Sequence, residues 1–221
     1  MRGRLRSRSM LRYVTVPVTA FAQNCSIVWC DYSGKAAVID PGGDLPRLRA
    51  EIARLGVRLD AIWLTHAHID HAGGTGTLAR EECVPIVGPH PGDQFWIDAL
   101  PQQSAMFGLP TAEPFTPTRW LHDGDTVVIG ESTLRVRHCP GHTPGHVVFH
   151  SPEAKRCFVG DVLFAGSIGR TDFPGGDFDT LVSSITERLW PMGDDTIFIP
   201  GHGPESTFGE ERCSNPFVGG T

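Results

Sequence analysis

The spacing of apolar and polar positions along the chain changes period several times. Residues 12–18 (RYVTVPV) and 24–30 (NCSIVWC) read as strands, and 36–40 (AAVID) as a third that ends in the turn Pro41-Gly42-Gly43. Leu45, Leu48, Ile52 and Leu55 then keep helical spacing, with Asp44 placed to cap that helix and Gly56 to stop it. The run Ala61-Ile62-Trp63-Leu64-Thr65 is short and apolar, as in a strand buried on both faces. A helix is expected within 71–82 and a short strand at 84–87. Residues 101–118 hold four prolines and little periodicity, which predicts a long surface loop near a site, serving as a lid or a contact between copies. Strands follow near 119–122, 125–129, 132–138, 146–150 and 156–160, with Asp123-Gly124-Asp125 and Gly130-Glu131 as turns. A helix within 178–190, a strand at 196–199 and a short helix near 205–212 complete the series. No repeat of 20–50 residues and no low-complexity linker divides it.

Composition narrows the possibilities. A chain of 221 residues fits one sizeable domain rather than two large ones. No run approaches the ~18 apolar residues of a membrane span, and a net charge of −6 does not suit a broad electrostatic hold on nucleic acid. Neither a membrane nor a nucleic acid is therefore an expected partner. Residues 1–9 carry Arg2, Arg4, Arg6 and Arg8 with no apolar stretch behind them, so they are not a secretory signal. A disordered extension is expected there, with residues 10–221 as the working domain. Cys25, Cys30, Cys83, Cys139, Cys157 and Cys213 form no C-x-x-C pair and read as free, buried thiols. With no export signal, that usage predicts a reducing cytoplasm.

The chemistry concentrates in the histidines. Thr65-His66-Ala67-His68-Ile69-Asp70-His71 directly follows the apolar run 61–65 and packs three imidazoles and a carboxylate into six residues. At a strand end alternate side chains share a face, so His66 and His68 can grip one metal while Asp70 and His71 turn towards a second. Three further apolar strands each deliver one ligand beside a glycine: His142 in Pro140-Gly141-His142, Asp161 in Gly160-Asp161, and His202 in Pro200-Gly201-His202. Ligands at strand ends on one sheet edge are where α/β sites form. Imidazole and carboxylate without thiolate suit catalytic zinc or another first-row metal rather than a closed structural site. Seven ligands exceed one tetrahedral ion, so two ions are expected, with Asp161 between them and room for a hydroxide. His146 is expected to orient the loop from behind the ligands. His90, His122, His138 and His150 are expected at the surface or in packing, and burial accounts for Cys139.

The series T-H-A-H-I-D-H, G-H-T-P-G-H, G-D and G-H resembles the metallo-β-lactamase superfamily. Within it the chain is similar to the short, single-domain bacterial glyoxalase II-like hydrolases. The segments Pro17–Cys25, Asp40-Pro41-Gly42-Gly43, Gly169-Arg170-Thr171-Asp172-Phe173-Pro174 and Pro200-Gly201-His202-Gly203-Pro204 carry that likeness, which runs from about residue 12 to 218. The resemblance implies a four-layer αβ/βα sandwich, two mixed sheets with helices outside and metals at one edge. By motif position His66, His68 and His142 would hold the first metal, Asp70, His71 and His202 the second, and Asp161 would bridge. Asp70 and Asp161 thereby become candidate catalytic residues. The implied cofactors are two divalent ions, zinc first and iron or manganese next. The implied activity is hydrolysis of a glutathione thioester such as S-D-lactoylglutathione. Arg170 is the candidate for the substrate's glycyl carboxylate, which a guanidinium fork suits, while Asp172 and Asp177 offer it a purely structural ion pair instead. Full-length glyoxalase II enzymes add a C-terminal helical domain that helps bind glutathione. Only 19 residues follow His202 here, so glutathione recognition is expected to rest on the main domain, to be weak or to be absent.

Two other readings remain at this point. The Gly-Arg-Thr-Asp-Phe motif also occurs in related persulfide dioxygenases, where His66, His142 and Asp161 would form a two-histidine, one-carboxylate face for a single iron. A non-catalytic metal-binding module is the third reading, and the complete ligand set argues against it. Oligomeric state is left open.

Overall fold

The computed structural model describes residues 10–220; the arginine-bearing segment 1–9 lies outside the described residues. The first sheet takes strands β1 (Leu11–Val18), β2 (Gln23–Cys30) and β3 (Lys35–Ile39) in an antiparallel meander. Pro17 is tolerated because β1 is the edge strand. Helix α1 (Leu45–Leu55) then crosses to β4 (Arg58–Trp63), which runs parallel to β3. Gly56 ends α1 in the left-handed region, as expected. Asp44 does not cap it through its side chain; that carboxylate accepts the Thr19 N–H at 2.8 Å instead and fastens the β1–β2 turn.

The helix expected within 71–82 is divided at Gly73-Gly74 into α2 (Ile69–Ala72) and α3 (Thr75–Glu82). β5 (Ile86–Val87) closes the sheet, in the order β1-β2-β3-β4-β5. Next come α4 (Gln94–Asp98) and α5 (Leu100–Phe107). The surface loop expected over 101–118 is therefore corrected: its first third is helical, with Pro101 in the first turn, where no N–H is needed. The strand expected near 119–122 reduces to one bridge, Val87 to Arg119.

The second sheet is built from β6 (Thr126–Ile129), β7 (Ser132–His138), β8 (Val147–Ser151) and β9 (Arg156–Gly160). A small hairpin, β10 (Leu163–Phe164) with β11 (Ser167–Ile168), follows. α6 (Phe178–Ser183) continues through a wider turn over Ser184–Leu189. β12 (Ile197–Pro200), β13 (Ser206–Thr207) and α7 (Phe208–Ser214) end the series. The strand order is β13-β12-β9-β8-β7-β6, with β12 parallel to β9.

The sheets face one another across a core that includes Val28, Ile39 and Trp63 from the first and Val136, Phe149 and Phe158 from the second. Trp63 and Phe149 meet with ring centroids 5.6 Å apart. Leu48 of α1 and Leu78 of α3 cover the outer face of the first sheet, and Leu181, Ile185 and Phe208 that of the second. Strands such as β8 and β9 are thus covered on both faces, which is why each carries an apolar run without alternation, at 147–149 and 157–159. This is the expected four-layer αβ/βα sandwich. Four thiols are buried, but Cys83 and Cys213 are exposed, which corrects the uniformly buried reading.

Candidate metal centre

The chain leaves β3, β4, β9 and β12 at one edge of the sandwich, and the two sheets are stitched there by main-chain bonds. Val147 N–H donates to the Thr65 carbonyl at 2.8 Å, and Asn24 N–H to the Gly201 carbonyl at 2.7 Å. All seven candidate ligands converge on this edge. The donor atoms of His66, His68 and His142 lie within 4.8 Å of one another, as do those of Asp70, His71 and His202. Asp161 stands between the groups: its Oδ1 is 3.2 Å from His71 Nε2, and its Oδ2 is 3.7 Å from both His142 Nε2 and His202 Nε2. His202 Nε2 is 3.0 Å from Asp70 Oδ2. His66, His68, His71, His142 and Asp161 are buried; Asp70 and His202 are partly exposed.

Glycine makes the crowding possible at two strand ends. Gly160 adopts φ +50°, and a Cβ there would sit 2.5 Å from Thr65 Oγ1. A Cβ on Gly201 would overlap the Asp161 carboxylate and stand 2.5 Å from His71 Cε1.

The tautomers follow from partners that can only accept. His71 Nδ1 donates to Asp40 Oδ2 at 2.9 Å, His142 Nδ1 to the Arg170 carbonyl at 2.7 Å, and His202 Nδ1 to the Phe21 carbonyl at 3.3 Å. The Thr65 hydroxyl spends its proton on Asp40 Oδ2 at 2.6 Å, so it accepts from His66 Nδ1 at 3.0 Å. Four imidazoles are thereby left with Nε2 directed at the common space. His68 differs: its Nδ1 is 3.0 Å from His142 Nε2, and its ring stands edge-on to Trp96 and Phe173. His146 is indeed behind the ligands, stacked on His66 at 4.6 Å and accepting the Asp161 N–H at Nε2, 3.1 Å.

Electrostatics point to a cation. Burial pushes His68 down to about 3 and also holds His66 and His142 below the ordinary 6.5, so these rings are neutral donors at pH 7. Burial opposes charge on His71 and on Asp161 as well, but the two outweigh it for each other. The carboxylates of Asp161 and Asp70 raise His71, and His71 holds Asp161 well below the usual carboxylate range. His66 Nε2, His71 Nε2 and Asp161 Oδ1 are buried and have no hydrogen-bond partner. An orphaned neutral nitrogen on His66, beside a buried His71–Asp161 pair whose ring proton a cation can replace and with no thiolate, fits divalent metal.

Some participants were not singled out from the sequence. Asp40 holds both Thr65 and His71; the sequence marked it by its place at the end of an apolar strand and within the Asp40-Pro41-Gly42-Gly43 segment of the family likeness, but not as a site residue. Asp93 and Gln103 bind the ligand loops with no signal at all. Arg170 is exposed and forks onto Asp172, with Nε to Oδ1 at 2.9 Å and Nη2 to Oδ2 at 2.7 Å, and its guanidinium lies 4.4 Å from the Phe173 ring centroid. Of the remaining histidines, His90 stacks on His138 at 4.0 Å and meets His122 edge-on, and His150 is buried in β8.

Comparison with known proteins gives the chain a family. The metallo-beta-lactamase superfamily model matches residues 18–202. Hydroxyacylglutathione hydrolase GloC of Haemophilus influenzae is 47% identical over 204 residues, 92% of this chain and 96% of that protein. The human mitochondrial persulfide dioxygenase ETHE1 is 34% identical over 189 residues, 83% of this chain and 66% of that protein. Among solved structures, the BLEG-1 B3 metallo-beta-lactamase superposes with a TM-score of 0.87 at 34% identity, covering 95% of this chain and all of that one. TTHA1623 in a di-iron-bound form superposes with a TM-score of 0.85 at 36% identity, covering 93% and 100%.

Proposed function

The chain belongs to the metallo-beta-lactamase superfamily, and from that premise we propose that it is a dinuclear metal-dependent hydrolase of thioesters. Its substrate is a hydroxyacylglutathione such as S-D-lactoylglutathione. The observation that carries the reading is the convergence of two complete donor sets on one sandwich edge with Asp161 in reach of both. The similarity to GloC supplies the substrate class.

His66, His68 and His142 would hold one ion, Asp70, His71 and His202 the other, and Asp161 both. Zinc suits this nitrogen and oxygen set, and iron and manganese are the alternatives. When bound, the ions supply hydroxide near neutral pH and polarise the thioester carbonyl. The chain's residues prepare the rest. Asp40 fixes the orientation of His71 and the Arg170 carbonyl that of His142, so each ring turns its Nε2 towards the metal space without rearrangement. Asp161 and Asp70 bring the negative charge that two divalent ions require. Arg170 would take the glycyl carboxylate of glutathione by exchanging it for Asp172. No side chain needs to protonate the leaving group, because a thiol of pKa roughly 8.5 departs as thiolate. A β-lactam amine would need a proton, which makes that substrate less suited to this site despite the likeness to BLEG-1.

A mononuclear persulfide dioxygenase would leave Asp70, His71 and His202 without work, yet these three are gathered as closely as the first set. A small-molecule thioester is thus the partner we assign. We place the protein in the cytoplasm on the absence of any cysteine pairing among the described residues. No described helix is long and apolar enough to cross a membrane. The test is hydrolysis of S-D-lactoylglutathione by protein loaded with two equivalents of zinc. Brisk turnover that a chelator abolishes is expected. A flat trace with both ions bound removes the substrate, and oxygen uptake with glutathione persulfide on a one-iron form replaces the reading altogether.

A further inference from the structure

Asp93 sits in a Pro-Gly-Asp turn that carries no motif, yet its side chain is fully buried. Its carboxylate accepts three hydrogen bonds. Oδ2 takes the Ala67 N–H at 3.0 Å and the Thr143 hydroxyl at 2.9 Å, and Oδ1 takes the Gly145 N–H at 2.6 Å. Ala67 lies between His66 and His68. Thr143 follows His142, and Gly145 precedes His146. The first donor belongs to the loop after β4 in one sheet, the other two to the β7–β8 loop of the opposite sheet. One side chain therefore spans the two loops that supply the three-imidazole set. Gln103 braces the same segment from α5, where its Oε1 accepts the Ile69 N–H at 3.0 Å and its Nε2 donates to the Trp96 carbonyl at 2.9 Å. The second donor set is held by other means: His71 by Asp40 and His202 by the Phe21 carbonyl.

Three nitrogens brought from two loops bind one ion tightly only when their separation is held to a few tenths of an ångström. Once ionised, a carboxylate only accepts, and its two oxygens suit it to gather N–H and O–H donors from both sides, since those donors are buried away from water. We propose that Asp93 is a positioning residue: by spanning the His66–His68 loop and the His142 loop it sets the metal affinity of the three-histidine subsite, leaving the Asp70–His71–His202 subsite nearly unchanged. This inference rests on the dinuclear reading above.

The test starts from fully cobalt-loaded protein titrated with a competing chelator, following the visible cobalt absorption and the number of ions retained. The parent protein is expected to release two ions in two steps, and His68→Ala marks which step belongs to the three-histidine subsite. Asp93→Asn is nearly isosteric, but its NH2 replaces one acceptor and faces a donor. That step should weaken by roughly 10- to 100-fold, the usual cost of losing a group that orients metal ligands, while the other stays within about twofold. Thr143→Val removes a single donor and should shift the same step by less; it reads the role alone should Asp93→Asn not fold. If the parent protein holds fewer than two ions, the dinuclear reading fails first and takes this inference with it. If the parent holds two and both variants release them like the parent, or if both steps weaken together, the positioning role is overturned and the dinuclear reading stands.

Discussion

Arg170 makes two separate sets of contacts, one through its carbonyl and one through its guanidinium. Its carbonyl fixes His142, while its guanidinium reaches Asp172 in solvent. Arg170→Ala therefore removes the fork and keeps the carbonyl that holds the ligand. An exposed ion pair is weak and screened by salt, so a substrate carboxylate can displace Asp172 at little cost. We expect Arg170→Ala to raise KM for a glutathione thioester on the order of tenfold, with kcat within about twofold. Steady-state kinetics at fixed ionic strength checks this, and an unmoved KM would leave that guanidinium to its contacts with Asp172 and Phe173. The residues readable from sequence were those whose chemistry is rare and whose neighbours in the chain are themselves informative, such as His66, His68, Asp70 and His71. Asp40, Asp93 and Gln103 are common residue types, and they act on donors 25 to 52 positions away, a relation that exists only once the loops have folded together.

At the level of elements, the ligands ride on strand ends whose neighbours leave almost no free volume. Gly201 joins β12 to His202 beneath the Asp161 carboxylate. Its substitution by alanine adds a single methyl group, yet that methyl overlaps Asp161 and crowds His71. We expect Gly201→Ala to keep the circular dichroism of the parent and to lose at least about tenfold in affinity for metal, because two ligands must move to admit the methyl. Metal content after dialysis against a weak chelator reads this directly; parent-like content would mean that β12 yields instead. Strands such as β8 and β9 were legible because burial on both faces forces a short apolar run without alternation, at 147–149 and 157–159. The error at 101–118 has a local cause. Pro101 opens α5 rather than breaking it, Gly108 closes it, and Gln103 and Ser104 are buried polar residues that blur its apolar face. The two-residue strands β10, β11 and β13 were not expected from the sequence, whereas β5, equally short, was.

Across the whole molecule, burying so many imidazoles at the join between two sheets gives the metal-free protein a particular pH dependence. Burial lowers His66, His68, His142, His146 and His150 below 6.5, His68 to about 3 and His150 to about 4. In the unfolded chain these rings take up protons as pH falls through 6.5, whereas in the folded chain they do not, so acid favours unfolding. Asp93 works in the opposite direction. Burial raises it to about 7, so the folded state holds its proton between about 4 and 7 while the unfolded state has lost it, and stability from this group declines as pH rises through that window. Five imidazoles outweigh one carboxyl, and stability should climb from pH 5 to about 6.5. Above 6.5 the sign reverses. Burial opposes a charge on His71 and His202, but Asp161 and Asp70 raise both, so the folded protein keeps protons that the unfolded chain gives up, and that stabilisation drains away as pH rises. Metal-free protein should therefore have its highest Tm near pH 6.5, with a steeper fall towards pH 5 than towards pH 8. Divalent metal binds the folded state and needs deprotonated ligands, so loading it should raise Tm more at pH 8 than at pH 5. Calorimetry with and without metal at the three pH values measures both effects. A metal-free Tm that rises towards pH 5 would mean that the imidazoles at the sheet edge open to solvent and titrate freely, and the neutral nitrogens assigned to the metals would not be held ready in the folded chain.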